Sequence, residues 1–541
     1  MKKNVLALSI ATMIGGLGFS GAAMAAPADF DVNESGAGII QIVPYFTAQD
    51  GNATVLHVVN TDTTNAKAVK IRFRGASNSD DLLDFQVFLS PGDVWTGMAS
   101  ANAEGRLQLV TNDSSCTLPA SVRTDGVTLA PLDRLSNRLW DTAEKKHAQT
   151  REGYIEILEM ATIPAHTKTT GLNEVEALYT AVKHVKKDGK MQAPCTASAF
   201  TALDQVTDGK TLVAAVAGPP AVPAVELGAP TGTLAASWYI MNVAKSTTFS
   251  GSATALALKA GTAVPVYAPQ KAQIASALVT ADPLIASEII DKQDFDVPDL
   301  STPLLSPSAA TPAAGLVEAS KQAANLSAAL NRATVGNQFY QDAGLNAATD
   351  WVFSMPTRRY LVAANYDAEK YIKGAILDGV DAAGAAVASA GNTANYIVRN
   401  AHATATANDG TVGNKFNVDG NITVNAQGQI CVQAAGQTFY DREEDSVKDG
   451  HVVSPGIAKK LNLCGEVHVA TFGAKSPLGA SVAQSSFQTD FGAGWGVVDF
   501  GTGAGNGVPV LGAAFTAATN PNAAAGMVGN YGVTWPHFYS K

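Results

Sequence analysis

Hydrophobic and polar positions alternate most clearly at residues 69–74. Val69, Ile71 and Phe73 point one way and Lys70, Arg72 and Arg74 the other. A period of two marks a strand with one face on a core and the other in water. Phe85, Val87 and Leu89 repeat the pattern before Ser90-Pro91-Gly92-Asp93 stops it, and Leu107 and Leu109 continue it. Upstream, the apolar run 39–43 leads to Pro44, and the run 55–59 lies between a Gly51-Asn52 turn and the turn cluster 60–65. Short alternating strands divided by frequent turns predict an immunoglobulin-like β-sandwich over 26–118.

Residues 119–280 read as a mixed, β-rich region. Leu132, Leu135, Leu139 and Trp140 have helical spacing, whereas 153–158 predicts a strand with Tyr154 and Glu156 on one face and Ile155 and Ile157 on the other. Prolines interrupt 213–225, and 238–243 predicts another strand. Residues 281–345 read as a Pro-rich loop and then a helix over 314–335, whose stripe is Leu316, Ala319, Ala323, Leu326 and Leu330. Residues 346–541 form a C-terminal β-rich domain, with strands expected at 351–355, 360–363, 430–432, 466–472, 497–500, 508–511 and 532–539. Its glycines, from Gly492 to Gly507, read as turns and bulges between strands. The fold class is therefore mainly β, with immunoglobulin-like β-sandwich domain(s) carrying helical and irregular insertions. No fixed-period repeat points to a solenoid or propeller.

Composition sharpens this picture. The 541 residues are 46% hydrophobic and 16% charged, against about 25% charged in ordinary globular proteins. The net charge of −10 argues against nucleic acid as a partner, because phosphate-backbone binding needs clustered Lys and Arg. Met1-Lys2-Lys3, a short apolar run over 5–17 and Ala23-Met24-Ala25 have the layout of an export signal, expected to be cleaved after residue 25. That run is broken by Gly15 and Gly16 and is too short to span a bilayer. Removing 1–25 takes away Lys2 and Lys3 and no acid, leaving −12. The expectation is a chain exported from a Gram-negative cell to its surface or beyond. An outer-membrane β-barrel fits less well, since the strands are irregularly spaced.

Export permits disulfides. Cys116 with Cys195 and Cys431 with Cys464 each close a local loop and are favoured over the two other pairings. Asp291, Asp294, Asp296 and Asp299 share one Pro-containing loop, and Asp441, Glu443, Glu444 and Asp445 form a second cluster. Such oxygens suit calcium, although neither spacing is that of an EF-hand and a solvated loop explains either cluster. The eight histidines are scattered, and zincin, P-loop, dinucleotide-binding and nucleophile-elbow motifs are all missing. No catalytic residue or organic cofactor is expected.

Three stretches carry a resemblance. They are Leu82-Leu83-Asp84-Phe85 on through residues 89–97, Thr349-Asp350-Trp351-Val352 on through Met355-Pro356-Thr357, and Trp535-Pro536-His537. They resemble a group of exported bacterial sequences known as cell surface proteins, whose motifs carry no assigned chemistry. The acidic, small-residue-rich, Cys-poor composition is also similar to that of Gram-negative surface-layer proteins. The resemblance implies a location at the cell surface, and the expected role is that of a structural, non-enzymatic subunit of a surface layer or coat. Its expected partners are copies of itself and an outer-membrane glycolipid or polysaccharide. The alternatives are a secreted hydrolase acting on polysaccharide or peptide, and a carbohydrate-binding adhesin.

Overall fold

The computed structural model describes residues 29–77, 79, 81–129, 142–165, 175–197, 200, 227–260, 325–358, 362–365, 370–373, 415–417, 421–425, 429–448, 460–503, 505–524 and 527–540. The export signal at 1–25, the helical spacing at 132–140, the irregular stretch 213–225, the Pro-rich loop and Asp291, Asp294, Asp296 and Asp299 lie outside these residues. The described residues are mostly strand, and among them the sheets are antiparallel except where Val467–Phe472 runs parallel to Gln484–Ser486.

Two sheets build the N-terminal half. The front sheet runs in the order Asp29–Val32, Thr254–Ala260, Ile40–Thr47, Glu152–Ile163, Ala66–Gly75, Asp81–Leu89, Cys116–Leu118. The back sheet runs Val127–Thr128, Leu107–Val110, Val94–Ala101, Ala53–Asn60, Leu234–Asn242, Thr247–Ser252. The boundary expected at residue 118 therefore cuts through both sheets. Glu152–Ile163 fills the space between Ile40–Thr47 and Ala66–Gly75, and Leu234–Asn242 pairs with Ala53–Asn60. Without these later strands, long rows of backbone donors and acceptors would lack partners. Ile40–Thr47 does not stop at Pro44. Its pairing slips at a bulge between Gly153 and Ile155, a place where a strand can do without one donor.

The alternation at 69–74 is real, and its polar face is buried as well. Every residue of Ala66–Gly75 is buried. Val69, Ile71 and Phe73 face Leu56, Val58, Trp95 and Leu109 of the back sheet across one core. On the other face Lys70 Nζ lies 3.0 Å from Asp84 Oδ1, and Arg74 Nε lies 3.4 Å from Glu156 Oε2. Arg72 sits in register between Asp84 and Glu156. A further buried network joins Lys67 to Glu159 and Asp62, each 3.2 Å away.

The C-terminal half holds a central sheet, in the order Gln484–Ser486, Val467–Phe472, Ala348–Ser354, Ala513–Ala524, Met527–Pro536. Its outer sheet runs Ser446–Lys448, Gly436–Tyr440, Ala493–Asp499, Thr334–Tyr340, Phe538–Ser540. The helix expected over 314–335 is described only at 325–330, and Asn331–Arg332 and Thr334–Tyr340 are strands. Thr334, Val335 and Phe339 favour a pleated surface, and Thr334–Tyr340 is held between two neighbours in the outer sheet. The boundary expected at 345/346 consequently separates that strand from its own sheet.

Ala348–Ser354 and Val467–Phe472 are buried at every position. One face of the central sheet gives Val352, Val469 and Phe515 to the N-terminal core. The other gives Trp351, Phe353 and Phe472 to a second core with Phe339, Phe439 and Phe487. Phe515 enters the end of the sandwich, its ring 6.3 Å from Tyr45, 5.8 Å from Trp238 and 5.5 Å from Phe249.

All four cysteines are bonded, as Cys116–Cys195 and Cys431–Cys464. The bridges suit a non-reducing compartment. Among the described residues no helix is long and apolar enough to cross a membrane.

Candidate functional site

Residues 500–540 contain no Asp, Glu, Lys or Arg. The same stretch gathers the exposed apolar surface. Val528, Tyr531, Val533, Trp535, Phe538 and Tyr539 are each between 36% and 59% exposed, and Trp495 is 41% exposed. Concentrated apolar exposure of this kind marks an interaction surface, whereas scattered residues do not.

The surface has two parts. The first is Met527–Pro536, the last strand of the central sheet. Tyr531, Val533 and Trp535 share one face and stand opposite Ala518, Thr516 and Ala514. Those small neighbours leave the large side chains proud of the sheet. Among the described residues no strand pairs with the outer edge of Met527–Pro536.

The second part lies around the corner at Pro536-His537, where the chain passes from the central to the outer sheet. The buried His537 ring fixes the corner. Its Nε2 donates to Val352 O at 2.9 Å, its Nδ1 accepts from Asn337 Nδ2 at 2.8 Å, and its ring stacks on Phe353. Burial disfavours the imidazolium and holds His537 down at about 4. Two of the resembling stretches thus meet here, since Trp351 also contacts His537 edge to face.

Past the corner, Phe538 lies across Gly336, its partner in the outer sheet. A Cβ at Gly336 would stand 2.0 Å from the Phe538 ring, so only glycine lets the ring lie down on the sheet. Trp495 and Tyr440 are paired on neighbouring strands and stack with centroids 4.5 Å apart and planes 12° apart. Trp495 and Phe538 are 6.2 Å apart and inclined at 48°. The three rings, with Gln338, Asp441, Arg442 and Glu444, line an open depression of about 910 Å³.

The second acidic cluster expected from sequence forms one wall of this depression. Asp441 Oδ1 accepts from Glu443 N at 2.8 Å and from Asp445 N at 2.9 Å, so part of the cluster's charge folds its own turn. Among the described residues no three His, Cys, Asp or Glu side chains gather as a metal site.

Buried carboxylates occupy the seam between the halves. Glu152 accepts from Tyr45 OH at 2.8 Å, Gln49 Nε2 at 3.1 Å, Ser481 N at 2.8 Å and Val482 N at 3.0 Å. Asp350 accepts from Thr471 Oγ1 at 2.6 Å, Ser476 Oγ at 2.5 Å and Leu478 N at 3.0 Å. Burial raises the proton affinity of both acids, carrying Asp350 to about 6. Together they fasten the loop 476–482 from both sides. Glu466 makes a third joint, ion-paired with Arg358 and accepting from Ser79 Oγ.

His184 is held by serines and an aspartate. Ser114 Oγ is 3.0 Å from Nε2, and Ser90 Oγ and Asp93 Oδ2 are 2.9 and 3.4 Å from Nδ1. Asp93 also accepts from Ser90 N and Val94 N. The cluster ties the 90–93 turn to the segment that Cys116–Cys195 already pins.

Sequence reasoning missed the aromatic surface. Gly494 and Gly496, read as turn residues, lie inside the strand Ala493–Asp499 and flank Trp495. A Cβ at Gly494 would meet Tyr440 O at 1.8 Å. A large aromatic between two glycines and, past Asp499, 41 positions without Asp, Glu, Lys or Arg were the available signal.

No family model matches the chain, no curated protein matches its sequence, and no solved structure matches its fold.

Proposed function

We propose that this is a structural cell-surface protein, a surface-layer or coat subunit that self-associates through Met527–Pro536. The observation that carries the reading is that strand itself. It ends its sheet, holds no charge and shows a row of large apolar side chains. Monomeric proteins usually blunt such an edge with charge, proline bulges or a cover, because it is a template for another strand. A second copy adding a strand there would satisfy the free backbone groups and bury Tyr531, Val533 and Trp535. Where the strand added is a different edge of the second copy, the contact is head-to-tail and propagates as an open row of copies, which a further lateral contact would widen into a layer.

The rest of the molecule suits the role. The N-terminal sheets, read as an immunoglobulin-like sandwich extended by later strands, give a rigid body. The bridges fit a protein exported to the cell surface. A secreted hydrolase is less well supported, because Glu152 and Asp350 spend their oxygens on the chain's own groups.

Light scattering and negative-stain microscopy of the purified chain, with and without calcium, test this. The expected result is ordered arrays from the native chain. Tyr531→Lys with Val533→Lys should stay monomeric with an unchanged circular dichroism spectrum. A native chain that remains monodisperse in every ionic condition would sink the reading, as would a double variant that assembles normally.

A further inference from the structure

We infer that the depression on the outer sheet is a binding site for a polysaccharide of neutral hexopyranose units. The argument starts from the shape of the floor. Phe538 lies flat across Gly336 and is 49% exposed. The Trp495–Tyr440 stack rises beside it, and the 48° between Trp495 and Phe538 makes an open apolar wedge. The C–H faces of a pyranose ring are apolar and its rim is polar, so it needs an apolar platform bordered by hydrogen-bonding groups. That border is present. Gln338 offers an amide, Arg442 a planar fork of donors, and Asp441 and Glu444 carboxylate oxygens.

The surroundings exclude other occupants. The rings stand on a sheet face whose strands Gly436–Tyr440, Ala493–Asp499 and Thr334–Tyr340 are each paired with their neighbours, so no added strand from a peptide or a second copy can dock there by backbone pairing. The wedge is also open and shallow, unlike the enclosed pocket that buries most of a small molecule. An extended polymer contacting it through successive rings fits better.

Charge narrows the class of sugar. The turn beside the wedge carries Asp441, Glu443, Glu444 and Asp445 against Arg442 alone. A field of that sign repels uronate, sulfate and phosphate groups, so a neutral polymer is preferred over an anionic one. The site is separate from the edge strand proposed to join copies, and the two can be tested apart.

Affinity electrophoresis of the full chain through gels containing a neutral glucan, a neutral mannan or polygalacturonate reads the proposal directly. Tryptophan fluorescence during titration with each polymer gives a second reading. The expected result is retardation and a fluorescence change with at least one neutral polymer and none with polygalacturonate. Trp495→Ala and Phe538→Ala should each weaken binding at least tenfold while keeping the native circular dichroism spectrum. Arg442→Ala should weaken it by a smaller factor. The assembly-deficient Tyr531→Lys, Val533→Lys chain should bind as the native chain does, so loss of assembly and loss of sugar binding separate. No retardation by either neutral polymer would overturn the proposal, as would stronger binding to polygalacturonate or full binding by Trp495→Ala.

Discussion

The front sheet of the N-terminal half and the central sheet of the C-terminal half are both buried on two faces, by opposite chemistry. The front sheet hides Lys70, Arg72, Arg74, Asp84 and Glu156 on one side and offsets their desolvation with cross-strand ion pairs. The central sheet buries Trp351, Phe353 and Phe472 on one side and Val352, Val469 and Phe515 on the other. The titratable groups it keeps include His468, which burial holds down at about 4, and Asp350, which burial raises to about 6. A strand that alternates charged and apolar residues therefore need not face water. It must only find partners for its charges.

Breaking a buried pair should have the largest effect. Glu159 accepts from the backbone N–H groups of Thr231, Gly232 and Thr233 as well as pairing with Lys67. Glu159→Ala leaves Lys67, itself wholly buried, with one remaining carboxylate, and should cost about 3–5 kcal/mol. Chemical denaturation measures it, and a loss below about 1 kcal/mol would mean that the network is dispensable.

Acid divides the buried groups by sign, within the C-terminal half as well as between the halves. His468 and His537 are both held down at about 4 by burial, so between 6.5 and 4 the unfolded chain binds protons that the folded chain refuses. Their contribution is complete above 6.5 and is lost as the pH falls toward 4, on the order of 3 kcal/mol for each. Asp350 acts in reverse. Its raised affinity favours the folded state at low pH, and that contribution is lost as the pH rises through about 6. Asp62, held at about 2 in the N-terminal half, keeps its contribution until the pH drops below about 4. His537→Asn should accordingly flatten the fall in melting temperature between pH 6.5 and 4. An unchanged slope would remove His537 from the account.

The bridges give the smallest contrast. Cys116–Cys195 spans 79 positions and Cys431–Cys464 spans 33. Loop entropy makes the first worth about 1 kcal/mol more than the second. Paired serine variants compared by denaturant midpoint test this, and the reverse order would show that native-state packing outweighs chain entropy.

Much of the fold was legible locally. Alternation at 69–74 and 153–158 gave strands with the correct faces, and the two short cysteine loops gave the pairing. What failed was anything decided by distant residues. Charges at 70, 72 and 74 were read as solvated because their partners at 84 and 156 lie on other strands. A boundary at 118 looked natural because the strand that completes the sheet begins at 152. Alanine-rich spacing carried the helix on to 335, where pairing with Ala493–Asp499 prevails over local propensity. The binding surface was hidden for a related reason. A glycine such as Gly336 looks like punctuation until the Phe538 ring it makes room for is seen on the neighbouring strand.

Phe515 sets an order of events. The sandwich begun at residue 29 keeps an unfinished end until a side chain from near the far terminus arrives to close it. A ribosome adding about 5–20 residues each second leaves that end open for many seconds. Truncation just before residue 515 should therefore yield a sticky, incomplete body rather than a smaller sound one, and the chain has reason to delay final compaction until it has been released whole.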